Sequence, residues 1–339
     1  MNKFDFNDIL IKPSKISDID SRKSINPFHD GFLPLITAPM DTVVNEQNKL
    51  RYAWLDIITC LPRGEKNDIG FESYSLKEIE FLLDGNDNLK KDGMYLIDIA
   101  NGHMSKLVQV TAAIKQRYPK IILMVGNVAN PDTYIELSNA GADFIRVGIG
   151  NGGGCSTTVH TGVGFPMGSL IRECFEASCN LDKPAKIVAD GGMQNYSDII
   201  KALALGADYV MVGSLFNKAI DSCGNNYLWG KIKVSQNIAE WIYNYQDINK
   251  HKYRIPIYKN FRGMSTKEVQ KKWGKEELTT SEGVSRMRKV EYTLEQWVEN
   301  FEDYLRSAMS YSNTRTLNEF IGFPEILNIT DNAYNRFKK

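Results

Sequence analysis

The sequence predicts a single-domain α/β fold, a (β/α)8 or TIM barrel, and three observations predict it. Short apolar runs, each followed by a polar or glycine-rich turn and a segment of helical period, recur from the first tenth of the chain to past residue 260. That is βα alternation. The runs, IILMVGNV and YVMVGS among them, are nearly continuous in apolar residues, as parallel strands covered on both faces are. Eight can be marked, the number that closes a barrel. A doubly wound open sheet is the alternative, but no early strand is followed by the G-x-G-x-x-G turn such a sheet usually carries.

In chain order the strand candidates are residues 33–38, 56–61, 94–100, 121–125, 144–148, 186–190, 209–213 and, more weakly apolar, 257–262. Between them LVQVTAAIKQRYP and YSDIIKALALGAD carry helical spacing and end at Pro119 and Gly206, residues that stop helices. Two stretches exceed a minimal barrel. One is a loop insertion at about 216–256 containing the helical segment NIAEWIYNYQ; the other is a lysine-rich flap at about 266–283. Both flank the strand read at 257–262, where a barrel places the loops of its catalytic mouth, and long loops there commonly act as lids. The polar tail from Asn313 offers no reading.

Composition narrows the function. The 339 residues fit one domain with insertions, and 42% hydrophobic with 24% charged residues is ordinary for a globular chain. Lysine plus arginine (41) equal aspartate plus glutamate (41), so no broad basic field exists to hold nucleic acid or an anionic membrane, and any phosphate recognition is local. Five scattered cysteines without a C-x-x-C pair argue against a disulfide framework or a structural zinc. The amino terminus lacks the apolar core of a signal peptide and no apolar run nears 18 residues, so a cytoplasmic protein is expected.

Three segments carry candidate chemistry. GIGNGGGCSTTVHTGVGFP, residues 148–166, packs five glycines into seven residues before Cys155. Such a loop turns sharply and presents backbone groups to a ligand or cation. Cys155, at the carboxyl end of a strand, is placed as a nucleophile; a flexible loop with an incidental cysteine is the plainer reading. IVADGGM ends a strand on Asp190, a carboxylate suited to a ribose diol, followed by Gly191 and Gly192. VMVGSLF sets Gly213 and Ser214 at the next strand end. Each is a tight turn taken alone; on consecutive strands they match a barrel phosphate site. His103 and His160 lie near these loops without metal-ligand spacing and read as structural.

With FRGMS at 261–265 and SEG at 281–283, these segments resemble the signature of the inosine monophosphate dehydrogenase and GMP reductase family. The resemblance runs from FNDILIKPS through APMDTV at 38–43 to RSAMSY at 306–311, about nine-tenths of the chain. It implies that Cys155 adds to C2 of a purine nucleotide to give a covalent thioimidate, with Thr157 and Glu282 as a proton-transfer pair. Asp190 would then hold the ribose, Gly191, Gly192, Gly213 and Ser214 the phosphate, and Gly263, Met264 and Ser265 the base, with Ser281 and Gly283 also among the substrate contacts. NADPH contacts would come from Ser21, Arg22, Asp98, Ile99, Ala100, Ile149, Gly150, Arg286 and Ser307. A potassium ion would sit on the carbonyls of Gly150, Gly152 and Cys155, in a homotetramer.

Within the family the features point to the reductase, which converts GMP to IMP and ammonia. The interval from Leu61 to Met94 is too short for the regulatory domains dehydrogenases usually insert, and GMSTKEVQKKWGKEELTTSEG lacks the Arg-Tyr pair that activates water. DIANGH and the Ser21-Arg22 pair lean the same way, and an arginine at a 2′-phosphate favours NADPH. A dehydrogenase without regulatory domains and a silent purine-nucleotide-binding relative are the alternatives. Three departures stand out: Cys155-Ser156-Thr157-Thr158 for the usual Cys-Thr-Thr-Arg, LPRG with Arg63 for a histidine-lysine stretch, and Thr279 where the reductase has arginine.

Overall fold

The computed structural model describes residues 3–83, 89–248, 254–272 and 283–337. Eight parallel strands form the central sheet: Leu35–Thr37, Cys60–Leu61, Phe71–Tyr74, Met94–Asp98, Ile122–Val128, Phe144–Val147, Lys186–Asp190 and Tyr209–Val212. Each pairs with its successor from the second to the eighth, and the eighth pairs with the first. A parallel bridge between Ile36 and Ile58 joins the first and second strands and closes the ring. Hydrogen bonds from Thr37 N to Ile58 O (3.0 Å) and from Ile58 N to Leu35 O (3.1 Å) secure it.

Seven of the eight expected strands are barrel members, and one is exchanged. Ile257–Arg262 does form, but in a separate antiparallel sheet of order Ile232–Val234, Asn226–Leu228, Ile257–Arg262, Ser285–Lys289. The strand that completes the barrel is Phe71–Tyr74. Both IYKNFR and FESY alternate buried and half-buried residues, so neither has the continuous apolar run of a strand covered on both faces, and four-residue FESY is too short and polar to stand out from a turn.

The ring sorts its side chains into two cores. Ile36, Ile58, Leu96, Met124, Val188 and Met211 belong to a buried cluster inside the barrel. Leu35, Ile97, Val125, Ile145, Ile187 and Val210, from alternate positions on the strands, belong to the larger cluster shared with the helices. At the amino-terminal end of the barrel Phe71, Phe144 and Tyr209 meet with centroids 5.4 and 5.7 Å apart. This plug leaves the carboxyl end as the open mouth.

Helices Ser105–Arg117, Pro131–Asn139, Met167–Ser178 and Tyr196–Leu205 cover the ring, the last ended by Gly206 in the left-handed conformation. The circuit is completed by Leu294–Tyr311, started by a Thr293–Gln296 capping box and anchored by buried Trp297 against Phe216. The stretch at 216–256 supplies a hairpin and the helix Gln236–Ile248, which contains the expected NIAEWIYNYQ. The tail that gave no reading pairs Ile326–Asn328 with Ile9–Ile11, tying the chain ends together.

Candidate active site

Cys155 lies where three separated segments meet. Its Sγ is 3.1 Å from Thr157 Oγ1, and its backbone N–H closes a turn onto Gly152 O at 2.9 Å. Gly154 O accepts from Val284 N (3.0 Å), Val284 O accepts from Gly263 N (3.1 Å), and Cys155 bridges Gly283. Glycine is required at this crossing. A side chain built at Gly154 would come within 3.1 Å of the Gly263 backbone, and such contacts between backbones need both Cβ atoms absent. Met264 and Ser265 continue from Gly263, and Arg262 fixes that segment to the APMDTV loop through Asp41 at 2.6 Å. Ser281 and Glu282 lie outside the described residues; Gly283, next in sequence to Glu282, is the bridge to Cys155.

The other cysteines differ in setting. Cys60 is buried and Cys223 half-buried, and desolvation pushes both thiols up to about 12; burial also raises Cys174, and Cys179 is exposed at a helix end. Among the five only Cys155 is half-exposed beside a hydroxyl on the glycine loop.

A buried charge chain crosses the mouth. Arg146 Nη2 donates to Asp190 Oδ2 (2.7 Å) and Nη1 to Asp98 Oδ1 (2.7 Å), and Arg63 Nε lies 3.5 Å from Asp98 Oδ2. Asn127 Nδ2 donates to the same Asp190 Oδ2 at 2.7 Å and to Gly148 O at 2.9 Å. Among the described residues every hydrogen bond to the Asp190 side chain falls on Oδ2, which leaves the Oδ1 lone pairs unspent. Arg146 and Asn127 were not among the residues singled out from sequence. Their signal was an arginine and an asparagine inside otherwise apolar runs, FIRVG and MVGNV.

Beside this chain opens a cavity of about 340 Å³. Gly153, Gly192 and Ser214 line it together with Lys218, Arg286 and Arg288. Gly191, with φ at +96°, turns the Asp190 strand end toward the glycine loop, where a Cβ would meet Gly152 N at 2.9 Å. Gly213, next to Ser214, packs under Met40 and Ala38 of the first strand's loop.

The remaining expected contacts fall in two places. Asp98, Ile99 and Ala100 end the fourth strand, and Ile149 and Gly150 belong to the Cys155 loop. Ser21 and Arg22 instead sit on an exposed turn that packs against the helix carrying Ser307. Among the described residues no hydrogen bond or ion pair links that group to Cys155. Gly152 O already receives the Cys155 N–H. No cluster of three or more His, Cys, Asp or Glu able to hold a metal occurs among the described residues. His103 accepts from Ala129 N and meets Thr133 Oγ1 at 2.9 Å, and His160 is exposed. No helix of the described residues is long and apolar enough to cross a membrane.

Comparison with known sequences agrees with this geometry. Residues 85–239 match the family profile described as IMP dehydrogenase / GMP reductase domain. The chain is 32% identical over 225 residues to an inosine-5′-monophosphate dehydrogenase of Chlorobaculum tepidum, covering 66% of this chain and 42% of that protein's length. It is 28% identical over 314 residues to a GMP reductase of Phytophthora infestans (84% of this chain, 78% of that protein). A GMP reductase of Shewanella pealeana is 31% identical over 239 residues (63% of this chain, 68% of that protein). The profile match and a relative 31% identical over 68% of its length show that the chain, with its barrel, belongs to the IMP dehydrogenase / GMP reductase family.

Proposed function

We propose that the protein is a GMP reductase, which removes the 2-amino group of GMP as ammonia and yields IMP. The observation that carries this reading is the Cys155 thiol 3.1 Å from the Thr157 hydroxyl, on a loop bridged to Gly283. Cys155, as thiolate, adds to purine C2, and the bond from C2 to the amino nitrogen breaks. Thr157, with Glu282 as its partner, passes the proton that lets the nitrogen depart as ammonia. NADPH, when bound, supplies the hydride that C2 takes up. The carbon–sulfur bond then breaks, its electrons return to Cys155, and IMP is released. Asp190 Oδ1 orients the ribose throughout.

Two features support reduction over hydrolysis. The flap sequence offers no Arg-Tyr pair to activate water, and the short interval 62–93 is spent on the barrel strand Phe71–Tyr74 and the helix Leu76–Leu83. Ala100, exposed, and Ile149 and Gly150, on the Cys155 loop, fit a nicotinamide beside the purine. Exposed Arg22 and Ser21, with Ser307, fit a cofactor reaching from the neighbouring subunit of a homotetramer. Carbonyls of Gly150, Gly152 and Cys155 are a neutral oxygen set suited to potassium, whose charge would brace the loop. Such an enzyme acts in the cytoplasm.

The test is a matrix of GMP or IMP with NADPH or NAD, read by absorbance, ammonia and product mass. GMP-dependent NADPH loss with one IMP and one ammonia per turnover is expected. NAD reduction with IMP overturns the reading in favour of a dehydrogenase, and nucleotide binding with no turnover in any mixture marks a silent relative.

A further inference from the structure

The cavity beside the Cys155 loop holds positive charge that the described residues do not balance. Arg286 and Arg288 alternate on the strand Ser285–Lys289, so their side chains share a face, and both line the cavity with Gly192 and Ser214. Lys218, also at the wall, is neutralised by Glu291 at 3.0 Å. Among the described residues neither arginine has a carboxylate within ion-pair distance, whereas Arg51, Arg146 and Arg262 each do.

Arg288 is held nonetheless. Its guanidinium stacks 4.7 Å over the buried Phe261 ring, and a Cβ built at Gly153 would lie 3.3 Å from Nη2 and 3.8 Å from Ser214 Cβ. Its Nε is buried with no hydrogen-bond partner. Desolvation and the like charge of Arg286 both work against its protonated form. A buried donor left unpaired is costly unless a ligand completes it. Two unbalanced guanidinium charges match a phosphate monoester dianion, and the planar fork suits its oxygens.

We propose that Arg286 and Arg288 are the charge partners of the substrate's 5′-phosphate, and that they set the preference for a nucleoside monophosphate over its nucleoside. The assignment rests on the purine-nucleotide reading of the site and moves Arg286 from the cofactor to the substrate.

Calorimetric titration of the full chain with GMP, guanosine, inorganic phosphate and NADPH tests it. Arg288→Met, which keeps contact with Phe261, and Arg286→Gln, at an exposed position, should each weaken GMP about tenfold or more, the usual scale of a charge-assisted hydrogen bond. Guanosine and NADPH affinities should stay as in the wild type, and Arg288→Lys should recover part of the loss. GMP binding unchanged in both neutral variants, or a loss of NADPH affinity instead, overturns the proposal. If GMP fails to bind the wild type while inorganic phosphate binds and is lost in the variants, the GMP reading falls and the arginine assignment stands. If GMP is turned over and the variants bind it normally, the arginine assignment alone falls.

Discussion

Arg146 and Arg288 flank the same glycine loop and are held in opposite ways. Arg146, on the strand that leads into the loop, is buried between the Asp98 and Asp190 carboxylates, which hold its guanidinium firmly protonated. Arg288, on the strand that bounds the cavity, has an aromatic ring beneath it and, among the described residues, no carboxylate within ion-pair distance. The difference separates two uses of charge in one mouth. A fully paired buried charge fixes geometry, here the orientation of Asp190. An unpaired one waits for a ligand to complete it.

Substitution should break the comparison cleanly. Arg146→Met takes the shared cation from two partly buried carboxylates, leaving Asp98 only Arg63 and Asp190 only the neutral Asn127, and should cost about 3 kcal/mol of stability, measured by urea unfolding. Arg288→Met removes no carboxylate's partner, so its unfolding free energy should stay within about 1 kcal/mol of wild type. Equal losses for the two arginines would mean that Arg288 is architecture as well.

Asp190→Asn sharpens the same contrast from the carboxylate side. Arg146 keeps Asp98, so stability should fall by less than in Arg146→Met. If Asp190 holds the ribose as proposed, nucleotide affinity should drop about tenfold, because the amide is a weaker acceptor than the carboxylate. Titration with GMP and urea unfolding of the same variant separate the two effects.

The smallest effect belongs to His103, at the edge of the mouth. Burial lowers its pKa below 6.5, consistent with a neutral ring that accepts from Ala129 N. The unfolded chain therefore binds the proton more readily. The stabilisation is complete above about pH 6.5 and is lost as pH falls through the lower folded value. Thermal unfolding should show a shallow decline in wild type between pH 6.5 and 5 that His103→Asn reduces. A steeper decline in the variant would assign the ring the opposite role.

Much of this was legible in the sequence because it depends on local backbone demands. Glycines at 148–154, 191–192 and 263 mark positive φ or backbone crossings, and apolar runs mark parallel strands covered on both faces. The third barrel strand escaped because FESY has neither length nor a continuous apolar run. Ile257–Arg262 competes with it because IYKNFR is longer and as strand-like, and only the sheet pairing assigns it to the antiparallel sheet. The charge chain was hidden because an apolar run draws attention away from the one arginine inside it. The setting of Arg288 depends on the antiparallel register that places it opposite Lys259. No local pattern announces a pairing 29 residues apart.

Cys155→Ala tests the account's central claim most directly, with turnover and GMP affinity measured on the same preparation. The covalent mechanism predicts that turnover falls by at least about a thousandfold, while GMP still binds through Asp190 and the phosphate cavity. A variant that converts GMP to IMP near the wild-type rate would contradict it.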